Sequence, residues 1–274
     1  MRKIGIQEIE DIALGAALLG AGGGGDPYIG KLTAIGAVKE CGEVELISAD
    51  EVPDGAFIMP AASMGAPTIL AEKGVGASEF AKLFDMVSRY FGKPVYATMP
   101  MEAGGVNSML PIAAAARLGI PMVDADGMGR AFPELQMVTF PIGGAPATPM
   151  AFIDEKGNSG ILDTITNKWT EDIARAATMT MGGTLTIALF CMDADTCKKY
   201  GVHGIVTRSE ELGRAIRTAK EGAAAAGLAP EEYFLQFTGG HKLFKGKIVD
   251  VLRETRGAFN FGRVVLEGIG EDRG

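Results

Sequence analysis

Between residues 43 and 124 short β-branched runs alternate with helical periodicity, and that alternation restricts the chain to an α/β sheet. The strand-like runs are EVELIS (43–48), AFIMP (56–60), PVYATM (94–99) and PMVD (121–124). Apolar residues at helical spacing fill 65–74, 78–91 and 107–118 between them. Residues 94–124 form a strand–helix–strand unit, for which a right-handed crossover is expected. The same patterns predict strands over 136–142, 149–154 and 184–192, and helices over 168–181 and 208–226. The expected fold is a mixed, largely parallel sheet with flanking helices.

Two end segments extend this plan. Ile9, Ile12, Ala13, Ala16 and Leu19 recur at helical spacing and lead into Gly22-Gly23-Gly24-Gly25. Asp26 before Pro27 is an N-cap and first-turn pair, so a second helix is expected over about 27–40. From Glu231 onward the texture changes to short runs with glycine at the turns (EYFLQFTGG, KLFKGKIVDVLRETRG, AFNFGRVVLEG), which predicts a C-terminal antiparallel β segment. We therefore expect an α/β domain over 1–230 that carries the active site. Residues 231–274 either pair back on its sheet or begin a second, β-rich domain.

Composition excludes several classes of function. A net charge of −8 without a basic tract argues against nucleic-acid binding. Three cysteines without disulfide spacing, an N-terminus that turns polar at once and no apolar run of membrane-spanning length predict a cytoplasmic protein off the membrane. The 39 glycines have no period, so they mark turns and close backbone approaches.

Chemistry concentrates after strands. Gly20-Ala21-Gly22-Gly23-Gly24-Gly25 matches the dinucleotide fingerprint in form, but it follows a helical pattern where that fingerprint needs a strand. Gly23, Gly24, Gly25 and Asp26 read instead as an anion-binding nest at a helix start, or as glycines that allow close packing. Asp124 and Asp126 end an apolar strand and point the same way if it continues. They then either coordinate a cation or divide into acid and base. Arg130 is positioned to clamp a carboxylate, and Glu134 to orient Arg130. Glu102 stands at another strand end, a catalytic or a solvated carboxylate, and Asn107 is expected to cap the next helix. His241 lies in a turn between predicted strands as a candidate ligand or base, or as an exposed turn residue. Cys191, at a strand end, reads as a small hydrophobe. No local zinc or Walker motif occurs, so a divalent metal such as zinc would have to be assembled from distant residues.

The blocks GGGGDPY (22–28), EAGGVNSMLPIAAAARLGIPMVDADGMGRAFPELQM (102–137) and FTGGHKLFKGKIVDV (237–251) resemble the S-methyl thiohydantoin desulfurase family, from about residue 5 to the end. That resemblance implies an enzyme acting on a five-membered thiohydantoin or hydantoin-like ring, with sulfur replaced by oxygen from water. It also implies an association with hydantoinase and oxoprolinase subunits, and a further β-rich domain in similar proteins. The alternative expectation is a non-catalytic partner subunit of such an enzyme. A homo-oligomer is expected in either case. Water attack needs a base and an anion pocket, roles assigned here to Asp124 or Asp126 and to the glycine loop or Arg130.

Overall fold

The computed structural model describes residues 1–73, 78–256 and 259–273. The chain opens with β1 (Arg2–Ile4), α1 (Ile6–Gly20), α2 (Pro27–Cys41) and β2 (Val44–Ile47). It continues through β3 (Phe57–Gly65), α3 (Pro67–Lys73), α4 (Ser78–Phe91), β4 (Ala97–Pro100), α5 (Leu110–Leu118), β5 (Met122–Val123) and β6 (Ala125–Asp126). Next come β7 (Met150–Ile153), β8 (Ser159–Leu162), α6 (Asn167–Thr180), β9 (Thr184–Ala188), β10 (Met192–Asp193), α7 (Ala194–Tyr200) and β11 (Val202–His203). The last elements are α8 (Ile205–Ala226), α9 (Pro230–Thr238), β12 (Gly246–Arg256) and β13 (Phe259–Gly268).

One sheet runs β1-β2-β5-β4-β3-β9-β7-β8, with β10 also on β3. Its central strands β2, β5, β4 and β3 are parallel, and the flanking pairs are antiparallel. Strand alternation divides β3 between two cores. Phe57, Met59 and Ala61 pack under α4 with Phe80, Leu83 and Phe84. Ile58, Ala62 and Met64 face Met99, Phe140, Leu185 and Phe190 on the other side. A third cluster joins Ile9 and Ile12 of α1 and Ala34 of α2 to Leu46, Ile112 and Met122.

Helices α1 and α8 meet through reciprocal glycines. A Cβ on Gly15 would lie 1.8 Å from the Ser209 carbonyl oxygen, and one on Gly213 would lie 1.7 Å from that of Asp11. Asp11 is buried there and takes a two-pronged ion pair from Arg217 at 2.7 and 2.8 Å. Gly213→Ala should therefore destabilise the protein. Forcing the helices apart costs up to about 3 kcal/mol, against about 1 kcal/mol gained in helix propensity. A net loss of about 2 kcal/mol in denaturant unfolding is expected.

Several sequence expectations are corrected. The run EYFLQF belongs to helix α9, started by Pro230 with Glu231 and Glu232 in its first turn. Residues 136–142 are not a strand; a single 3-10 turn spans Phe140–Gly143. Among the described residues β12 and β13 pair only with each other, so the tail does not return to the main sheet. Ile248, Val251, Leu252, Phe261, Val264 and Leu266 of that hairpin are each about half exposed or more. No helix among the described residues is long and apolar enough to cross a membrane.

Candidate functional site

The carboxyl ends of β3, β4 and β5 lie side by side, where an open α/β sheet places its ligand crevice. Because Ala61 pairs with Pro100, Ser63 stands level with Glu102 in the loop after β4. Residues 101–110 are buried throughout, although the segment carries Glu102, Asn107 and Ser108 as well as Gly104 and Gly105. The tetraglycine loop makes this burial feasible. A Cβ on Gly24 would fall 2.4 Å from Gly104 Cα, and one on Gly105 would fall 2.3 Å from the Gly25 oxygen. The Gly24 carbonyl accepts the N–H groups of Val106 (2.6 Å) and Asn107 (3.1 Å). The N–H groups of Gly24 and Gly25 meet no acceptor among the described residues. Asp26 caps α2 by accepting the Tyr28 N–H at 2.8 Å.

Glu102 is only 5% exposed. Its Oε1 accepts Asn107 Nδ2 at 2.6 Å and its Oε2 accepts the Phe132 N–H at 2.8 Å. Burial raises its pKa, and these two donors oppose the rise. Asp126 is fully buried; its Oδ1 accepts the N–H groups of Met128 (2.9 Å) and Gly129 (2.7 Å). Its Oδ2 has no hydrogen-bond partner. Desolvation raises the Asp126 pKa to about 7 against those N–H groups; the nearby Glu102 charge adds to the rise, and the Ala103 backbone pulls slightly the other way. The Gly127 N–H, bonded to the Met101 oxygen at 3.0 Å, ties the two loops together. The structure thus brings together Glu102, Asn107, Asp126 and the glycine loop as two buried carboxylates with unlike surroundings. Such a pair divides naturally into acid and base.

The other candidates lie elsewhere. Asp124 does not share a site with Asp126, because its carboxylate caps α8 through the N–H groups of Val206 (2.8 Å) and Thr207 (3.1 Å). Arg130 is exposed and bonded to the Ala131 carbonyl oxygen at 3.0 Å. Glu134 accepts from Gln136 and does not orient Arg130. Asn107 is not the cap of α5, which begins at Leu110 after Met109. His241 is exposed in the irregular stretch between α9 and β12, not in a turn between strands. Burial pushes the thiols of Cys191 and Cys197 up to about 12, which leaves neither nucleophilic at neutral pH. Among the described residues no three Cys, His, Asp or Glu side chains converge as metal ligands.

Sequence reasoning did not find Ser63, Glu79 or Thr186. They line a small hollow of about 10 Å³ at the end of β3, together with Lys73, Glu155 and Thr184. Glu79 accepts from the Thr186 hydroxyl at 2.7 Å, and burial raises its pKa. A second hollow lies between Phe152 and Thr180. Neither of these hollows is lined by Asp126 or Glu102. Glu79 resembles any first-turn helix acid, so only the fold reveals its setting.

A family described as S-Me-THD-like, N-terminal domain matches residues 7–164, and its C-terminal domain counterpart matches 165–274. The match boundary falls within one sheet, since β9 pairs with β3 across it. A crystal structure of a protein from Chromobacterium violaceum, a structural genomics target, superimposes with a TM-score of 0.76 and 26% identity. The match covers 99% of this chain and 73% of that one. No curated protein matches the chain.

Proposed function

Because the chain belongs to the S-Me-THD-like family, we propose that it hydrolyses a five-membered thiohydantoin-like ring, exchanging ring sulfur for oxygen from water. The observation that carries this reading is the buried Glu102–Asp126 pair beside the glycine loop, on the segments that follow the neighbouring parallel strands β4 and β5. One carboxylate takes a proton from the attacking water, and the new C–O bond leaves a tetrahedral anion. The N–H groups of Gly24 and Gly25, which have no acceptor among the described residues, are the donors this reading assigns to that anion. The other carboxyl gives its proton to sulfur as the C–S bond breaks. It then recovers one from the C–OH group as the carbonyl forms, while the first carboxyl passes its proton to the departing sulfur. One water is consumed, one hydrogen sulfide leaves, and both groups return to their starting states. Both side chains are closed off, so the reading requires the Gly22–Gly25 loop or the Phe132 segment to move when the ring binds.

A sulfide-release assay on thiohydantoins tests it. Glu102→Gln should lower turnover by about 10²–10⁴-fold, the usual contribution of a general acid or base. Full turnover in that variant would remove the pair from the chemistry. A second reading, a non-catalytic partner subunit of a hydantoinase-like enzyme, is favoured by the exposed apolar hairpin β12–β13 and by the closure of the pair. Absence of sulfide release together with stoichiometric binding to such an enzyme would select it.

A further inference from the structure

We propose that the two carboxyl groups have fixed and unequal protonation: Glu102 is the ionised member, Asp126 holds the proton on Oδ2, and Asn107 is the positioning residue that sets this order. The catalytic meaning of that order, base and acid respectively, rests on the hydrolytic reading above. The protonation itself is a property of the resting protein.

The argument begins at strand β3. The Ser63 N–H donates to Asn107 Oδ1 at 2.7 Å, and Asn107 Nδ2 donates to the Ser63 carbonyl oxygen at 3.2 Å. A backbone N–H needs an acceptor and a carbonyl needs a donor, so the amide cannot be turned over without losing both bonds. The remaining hydrogen on Nδ2 must then point at Glu102 Oε1, 2.6 Å away. Asn107 is 6% exposed, so no solvent competes for these contacts. With the Phe132 N–H on Oε2, each Glu102 oxygen faces one fixed donor. Donors on both oxygens favour the carboxylate, since a hydroxyl oxygen is a poor acceptor.

Asp126 has the opposite arrangement. The two N–H donors within hydrogen-bond geometry, those of Met128 and Gly129, converge on Oδ1, which suits a carbonyl oxygen with two lone pairs, while the Ala103 backbone, the weakest influence on this carboxyl, makes no hydrogen bond to Oδ2. Oδ2 is buried and bare. An ionised Asp126 would strand half its charge there, whereas a neutral acid places its hydroxyl there, at much lower desolvation cost. The other ionisable groups on the adjoining segments do not reverse this order. Asp124 is bonded to α8, Arg130 is exposed and bonded to the Ala131 oxygen, and His203 is exposed opposite Ala125.

Infrared difference spectroscopy of the full chain at pH 6, without substrate, reads the proton directly. The carbonyl stretch of a buried protonated acid should vanish in Asp126→Asn and persist in Glu102→Gln. A Glu79→Gln control removes the contribution of that raised carboxyl. A band that follows Glu102, or no band beyond that of Glu79, overturns the assignment. Asn107→Leu, which removes the donor, should move the acid limb of the pH–rate profile up by about one unit or more. If that variant does not fold, Asn107→Asp keeps the Ser63 N–H bond, turns an oxygen toward Glu102 and should move the limb the same way. An unmoved limb in a folded variant removes Asn107 from the role. The expected band without turnover would sink the hydrolytic reading alone; turnover with the band on Glu102 would sink this assignment alone.

Discussion

Asp126→Asn is expected to give a protein that is far less active and, at pH 8, more stable than the parent. The folded-state pKa of Asp126 is about 7, against 3.8 for the unperturbed group. Between those values the unfolded chain has released a proton that the folded chain retains. Stability therefore falls as pH rises from about 4 to about 7 and stays lowered above that. At 1.36 kcal/mol per unit the penalty is roughly 4 kcal/mol. Asparagine never pays it, but its amide leaves an unsatisfied donor in the place of Oδ2, at a cost of about 1–3 kcal/mol. A net gain of about 2 kcal/mol at pH 8, and a net loss of about 1–2 kcal/mol at pH 4, are expected from urea unfolding. Turnover should fall by about 10²–10⁴-fold. A variant that loses stability equally at both pH values would show that the buried acid does not strain the fold.

Gly24→Ala should cost about 3 kcal/mol, because two penalties add at one position: left-handed backbone for a residue with a Cβ, and collision with the facing loop. The backbone there has φ +70°, and the new Cβ would sit 2.4 Å from Gly104 Cα and 3.3 Å from Glu102 Oε1. At this chain length that corresponds to a melting temperature lower by about 10 °C. Gly22→Ala is the matching control, since its φ is +93° but nothing lies within 4 Å. It should lose only about 1–2 kcal/mol and keep the glutamate in place. Equal losses in the two variants would mean that backbone conformation alone explains the glycines.

Much of the fold was legible because its signals are local. Helix α4 begins and ends where its periodicity does, over Ser78–Phe91, and Asp26-Pro27 marks the start of α2 as its cap chemistry dictates. The misreadings are also local. Aromatic and β-branched residues in EYFLQF outweighed the better signal, Pro230 followed by two acids. The site was legible residue by residue but not as a set. Glu102 and Asp126 each stood out at a strand end, yet their association depends on β4 and β5 being neighbours. Asn107 looks like a helix cap from its own neighbourhood. Its actual partner, Ser63, is 44 residues earlier and contributes only main-chain atoms, which leave no trace in residue identity. Asp124 misled for the converse reason: a strand-end acid capping a helix 82 residues later has the same local appearance as a catalytic one.

The joint between α1 and α8 also bears on how the molecule is made. Its partners Asp11 and Arg217 are 206 positions apart. At about 5–20 residues per second on the ribosome, α1 emerges roughly 10–40 s before the helix that completes its packing. During synthesis the side of α1 that clusters with Ala34, Leu46, Ile112 and Met122 can be covered early, but the side that meets α8 at Gly15 stays open until then. Refolding from denaturant, in which both helices are present from the start, avoids that interval, so the α1–α8 joint sets a delay that only synthesis imposes.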